Sequence, residues 1–126
     1  MEYPNGLAFS PDEKKLYVAN TRPKKWMVYD VKVDGSLGAG KVFMDVSADT
    51  TDRVPDGMKV DTLGNVYAAG PDGVLVISPE GKHLGTILIP EIVANCAWGN
   101  ADAKTLYVTA RTGLYRIRLN VAGIKP

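Results

Sequence analysis

The chain contains one histidine, His83, and one cysteine, Cys96. One cysteine cannot form an internal disulfide, which points toward a reducing compartment, and Cys96 reads as a small buried apolar residue. With no second histidine and no base beside a serine or cysteine, no nucleophilic triad can be assembled around His83, which reads as a solvated turn residue. Excess charge of either sign is lacking as well. Lys and Arg total 15 against 14 for Asp and Glu, a net charge of +1. That balance gives no electrostatic basis for binding nucleic acid or an anionic membrane surface. No apolar run approaches the ~20 residues of a membrane span. The opening "MEYPNGLAFS" has no basic start followed by an apolar stretch, so no export signal is expected and a cytoplasmic location is. Helical periodicity is missing throughout.

What remains is a chain of short strands. Hydrophobic residues make up 45% of the 126, enough for a globular core. Segments rich in Val, Tyr, Phe and Trp lie between Pro, Asp and Gly clusters, the pattern of an all-β protein. "GLAFS", "KLYVAN", "KWMVYDVKV" and "KVFMDVS" form a first group; "GMKVD", "VYAAG", "VLVIS" and "HLGTILIP" form a second; "CAWGN", "TLYVTA" and "LYRIRLNV" form a third. The strand count is thus four, four and three.

One phrase recurs in all three groups: "PNGLAFSPDEKKLYVA", "PDGMKVDTLGNVYAAG" and "ANCAWGNADAKTLYVTA". Asn5 precedes Tyr17 by 12 positions, Asp56 precedes Tyr67 by 11, and Asn95 precedes Tyr107 by 12. The copies start 51 and then 39 residues apart. A four-stranded unit recurring every ~40–50 residues is the spacing of β-propeller blades. One partial propeller domain over 1–126 is expected, with blades at about 4–48, 54–90 and 93–121 and the last lacking a strand. The first strand of each blade lines the central channel, so Asn5, Asp56 and Asn95 would converge there. One carboxylate and two amide oxygens suit a hard cation such as Ca²⁺. Taken alone, "PNG" and "PDG" are equally good turn formers. The tyrosines read as blade packing.

The combination "PNGLAFSPDEKKLYVANT", "WMVYDVKVDGSLGAGKVFMD", "PDGMKVDTLGNVYAAGPDGVLVISPEGKHLGTI" and "NCAWGNADAKTLYVTARTGLYRI" resembles the SMP-30/gluconolactonase/LRE-like family. The resemblance implies a six-bladed propeller with a divalent metal on its axis, Ca²⁺ first with Zn²⁺ or Mg²⁺ as alternatives, that hydrolyses sugar lactones. It implies that Asn5 is a metal ligand and that Asp56 is both a metal ligand and the general base. Asn95 is implied only as a site-lining residue. The loop "TRPKKW" adds Arg22 as a candidate for contact with an anionic sugar acid, although a solvated hairpin tip accounts for it as well.

Only the C-terminal half of the family pattern is present. The family's metal-binding Glu and a second Asn ligand belong to the missing half, as does the strand that closes the last blade. Three blades leave two open faces and a free strand edge at "LYRIRLNV". Two copies about a twofold axis, or a partner supplying the other half, would complete a ring of six. A symmetric pair would bring two carboxylates and two amides to the axis. A non-catalytic half-propeller that binds a ligand or partner is the alternative reading. Two other motifs fail. "GSLGAGKV" ends in Val42 where a phosphate loop needs Ser or Thr, and a calcium loop begun at Asp30 meets Lys32 and Lys41 at ligand positions.

Overall fold

The computed structural model describes residues 1–125 and contains strands and no helix among them. Strands β1 (Pro4–Phe9), β2 (Lys15–Asn20), β3 (Lys25–Asp30) and β4 (Lys41–Asp45) form one antiparallel sheet in chain order. Strands β5 (Met58–Val60), β6 (Val66–Gly70), β7 (Gly73–Ile77) and β8 (His83–Leu88) form a second. Strands β9 (Val93–Gly99), β10 (Thr105–Ala110) and β11 (Gly113–Arg118) form a third, with β11 pairing only with β10. Each sheet is an up-and-down meander, and β1, β5 and β9 lie side by side as the innermost strands. The chain is therefore a partial propeller.

Strand sequences explain the stacking. A strand that points alternate side chains to opposite faces needs apolar residues at every position when both faces are covered. In β2, Tyr17 and Ala19 face one way while Leu16 and Val18 face the other. Tyr17, Ala19 and Trp26 from the first sheet pack against Met58, Val66, Ala68 and Leu75 from the second. Tyr67, Ala69 and Val74 from the second sheet pack in the same way against Cys96, Leu106 and Val108 from the third. Burial of such side chains stabilises by roughly 1.5–3 kcal/mol each, so these two seams are the core. The Tyr17 and Phe43 rings meet at 4.7 Å, and Tyr67 meets Trp98 edge-on at 5.0 Å.

Polar groups close the ends. Asp61 is fully buried and accepts from the backbone amides of Leu63 and Asn65 and from the Asn65 side chain, which fixes the turn between β5 and β6. Gly64 in that turn has φ +86°, a conformation that disfavours any side chain. The segment after β11 runs back under the sheets: Thr62 N–H donates to Ala122, Gly123 N–H to Ala103, and Ile124 N–H to Val60. The Trp98 indole also donates to the Val60 carbonyl, at 3.1 Å. Outside the two seams, Leu7, Phe9 and Val42 are exposed on the open face of the first sheet, and Leu114 on that of the third. His83 is exposed, 2.9 Å from the Thr86 hydroxyl, and Cys96 is buried as a small apolar residue.

Candidate functional site at the N-terminal ends of the inner strands

The tyrosines provide an internal ruler. Tyr17 pairs with Ala8, Tyr67 with Lys59 and Tyr107 with Ala97. Three residues before those partners stand Asn5, Asp56 and Ala94. Asn5 and Asp56 are thus structural equivalents, whereas Asn95 is not their equivalent. It lies one position later, level with Gly6 and Gly57. The turns joining first and second strands differ in length, and the difference in the third sheet matched the 12-residue spacing by coincidence.

Neither Asn5 nor Asp56 is a turn residue. Asn5 is inside β1 and Asp56 leads directly into β5, and neither has a positive φ. Both sit at irregular pairing. The register of β1 against β2 shifts between Pro4 and Leu7, and Ala69 bonds through its carbonyl to the Asp56 amide and through its own amide to the Gly57 carbonyl. A bulge turns a side chain away from simple alternation.

Glycine lets these strands approach. A Cβ on Gly6 would stand 2.3 Å from the Asp56 carbonyl oxygen and 2.7 Å from Gly57 Cα. A Cβ on Gly57 would stand 2.2 Å from Asn95 Oδ1. The Asn95 side chain therefore occupies the space above Gly57, and its Oδ1 accepts from the Cys96 amide at 2.8 Å. The Gly57 amide donates to the Ala94 carbonyl at 2.9 Å, joining the second and third inner strands.

Thr21, at the end of β2, links the first two copies. Its hydroxyl donates to the Pro55 carbonyl at 2.9 Å and accepts from the Asn5 amide at 3.4 Å. Sequence reading missed this residue, and its only signal was position, directly after the second strand of the repeat. Asp56 is half-buried, and burial raises its carboxyl above the ordinary aspartate value. The neighbouring Gly57 amide and Asn5 side chain oppose that shift. The Asn5 and Asp56 side chains are therefore neighbours, an amide beside a half-desolvated carboxylate. Asn95 is exposed beside them on the next strand. Arg22 is exposed on the β2–β3 turn next to Thr21, with its guanidinium 5.7 Å from the centre of the Tyr3 ring.

An amide and a carboxylate oxygen fit a hard cation in kind. In number they make only part of a shell that takes six to eight oxygens. Among the described residues, no three His, Cys, Asp or Glu side chains converge to hold a metal. No helix among them is long and apolar enough to cross a membrane.

Residues 1–112 match the SMP-30/gluconolactonase/LRE-like region. A gluconolactonase of Zymomonas mobilis is 34% identical over 129 residues, an alignment covering 95% of this chain and 36% of that protein. The solved structure of a gluconolactonase from Xanthomonas campestris superposes with a TM-score of 0.82 at 32% identity, over 94% of this chain and 38% of that one. A calcium-binding protein, regucalcin, from Agrobacterium tumefaciens shares the fold, with a TM-score of 0.79 at 23% identity over 96% of this chain and 46% of that one. The chain spans less than half the length of each of these proteins. With Asn5 and Asp56 in register on neighbouring blades and the match running through both, the chain belongs to the SMP-30/gluconolactonase/LRE-like family.

Proposed function

We propose that this chain supplies one side of the axial site of a divalent-cation-dependent sugar-lactone hydrolase. The observation that carries the reading is the pairing of Asn5 with a half-buried Asp56 at equivalent positions of adjacent inner strands. Asn5 and Asp56 would hold the cation through oxygen, with Ca²⁺ favoured and Zn²⁺ or Mg²⁺ as alternatives. Bound there, such a cation supplies charge stabilisation for the oxyanion that develops on a lactone carbonyl.

Asp56 has two carboxylate oxygens, so one can face the cation while the other accepts a proton from water. As the carboxylate at the site, it is the group available to act as general base. Hydroxide adds to the lactone carbonyl, the ring C–O bond breaks, and the ring oxygen leaves as a hydroxyl carrying the proton. The product is the open sugar acid. Thr21 holds Asn5 in place through its hydroxyl. Asn95 and Arg22 line the approach, with Arg22 available to the carboxylate of an anionic sugar. The missing oxygen donors come from a second copy of the chain, which raises the count to two carboxylates and two amides. A cytoplasmic setting belongs to this reading and rests on the free thiol of Cys96.

One observation favours a second reading, a non-catalytic half-propeller that binds a ligand: among the described residues of a single chain, no three His, Cys, Asp or Glu side chains gather to hold a metal. Hydrolysis of glucono-1,5-lactone with Ca²⁺ or with chelator, for the wild type and Asp56→Asn, separates the two. Calcium-dependent turnover lost in Asp56→Asn supports the hydrolase. Equal, chelator-insensitive background in both proteins refutes it.

A further inference from the structure

The two open faces of this chain match each other, and the matching can be read position by position from the two seams that are already closed. At each closed seam the earlier sheet offers a tyrosine, a small residue and a bulky apolar residue from its second and third strands. These are Tyr17, Ala19 and Trp26 at the first seam, and Tyr67, Ala69 and Val74 at the second. The register puts Tyr107, Thr109 and Leu114 at those positions on the open face of the third sheet. The receiving face follows the same rule. Met58, Ala68 and Leu75, then Cys96, Val108 and Tyr115, fill it at the closed seams. Their equivalents on the open face of the first sheet are Leu7, Val18 and Met27.

Two positions change together. Val28 of the first sheet and Ile77 of the second belong to one closed seam, and Val76 and Ile117 belong to the other. At the open faces the aliphatic pair becomes Arg116 on the donating side and Tyr29 on the receiving side. An arginine facing a tyrosine ring is a favourable replacement for two aliphatic groups, whereas an arginine facing isoleucine is not.

We propose that the open face of the third sheet docks on the open face of the first sheet of a second copy, with Arg116 over Tyr29 and Leu114 in the place taken by Trp26 and Val74. It rests on the reading above, in which a second copy completes the site. The contact is head-to-tail, and made twice about a twofold axis it closes a ring of six blades. Closure sets the Asn5 and Asp56 of each copy around one channel.

The test is solution mass by light scattering and sedimentation on the whole chain, with Phe9→Glu and Leu114→Glu made separately. Phe9 and Leu114 are 45% and 73% exposed, outside both internal seams, and far-UV circular dichroism checks that each variant retains its strands. Val42→Lys and Arg116→Glu stand in for either if it does not fold. The wild type is expected as a dimer. Each variant is expected to weaken it by about 100-fold or more, because a carboxylate is buried without a partner. Arg116→Ala is expected to weaken it by about tenfold over two seams.

Mixing Phe9→Glu with Leu114→Glu yields dimers through the one seam that carries neither substitution, while the other seam, which carries both, stays open. A monomeric wild type overturns the proposal. So does a dimer insensitive to Leu114→Glu, which would mean the two first sheets meet face to face, and so does a mixture that stays monomeric. Lactone hydrolysis on the same samples keeps the two readings apart. A dimer without turnover leaves the seam standing and removes the hydrolase, and turnover by a monomer does the reverse.

Discussion

Adding one methyl group to Gly6 or Gly57 probes how the inner strands position the site, and the two substitutions should behave differently. On Gly6 the new Cβ meets backbone, 2.3 Å from the Asp56 carbonyl oxygen and 2.7 Å from Gly57 Cα. These distances fall short of comfortable contact by about 1 Å. No rotamer change relieves them, so the first and second sheets must separate. Overpacking of this kind costs about 1–3 kcal/mol, and a rigid backbone neighbour puts Gly6→Ala near the upper end. Alanine also lowers the entropy of the unfolded chain, which offsets about 0.4–1 kcal/mol. The net loss is about 2 kcal/mol, or roughly 6–8 °C in Tm for a chain of this size.

On Gly57 the new Cβ meets a side chain, 2.2 Å from Asn95 Oδ1 and 2.3 Å from its Cγ. The Asn95 side chain can swing away, giving up the bond it accepts from Cys96 at a cost of about 1 kcal/mol. Thermal and urea unfolding of Gly6→Ala, Gly57→Ala, Asn95→Gly and the Gly57→Ala/Asn95→Gly pair measure these differences. The pair should show a favourable coupling of about 1 kcal/mol, and no trimming of Asn95 should rescue Gly6→Ala. A Gly6→Ala protein as stable as the wild type, or a Gly57–Asn95 coupling near zero, would refute the close approach of the inner strands.

Four further outcomes follow from the site and core. Calcium binding, followed calorimetrically, should weaken as pH falls through the raised pKa of Asp56, at a higher pH than an aspartate at 3.8 would give, and Asp56→Asn should show no such step. Without cation the sign reverses. The raised folded-state pKa means Asp56 favours the fold when protonated and loses that contribution as pH rises, so Asp56→Asn should be at least as stable as the wild type at pH 7. Burial pushes the Cys96 thiol up to about 11, so thiol reagents at pH 8 should label it only after unfolding. Asp61→Ala strands the amides of Leu63 and Asn65 and should cost about 2–3 kcal/mol in urea unfolding.

The all-β fold and the repeating unit were legible because strands covered on both faces are apolar throughout, and because their turns carry Pro, Asp and Gly. Asn5 and Asp56 were legible through the family pattern and take equivalent places on adjacent strands. Asn95 was misaligned because spacing along the sequence adds turn length to strand length, and only pairing separates the two. Ala8 to Tyr17 spans nine positions, Lys59 to Tyr67 eight, and Ala97 to Tyr107 ten. Thr21 left no trace in composition or motif. It matters through a hydrogen bond to a carbonyl 34 residues away, and such contacts exist only once the sheets have stacked. The self-matching of the open faces was equally hidden, because it appears only when strand register names the equivalents.

The tail after β11 has a mechanical consequence. It bonds to the second and third sheets at the C-terminal ends of their inner strands, where the Trp98 indole adds its own link. The opposite ends, where Asn5 and Asp56 sit, are joined across the sheets by the Gly57–Ala94 and Thr21–Pro55 bonds. The chain is built like a hand fan, its second and third sheets riveted by the tail at one end and its three sheets pinned by these two bonds at the other. A change in the angle between sheets would leave the rivet in place and would have to stretch the two bonds at the opposite end. The distance between the Asn5 and Asp56 oxygens would change with that angle, and the cation proposed above, if bound there, would act as the clasp.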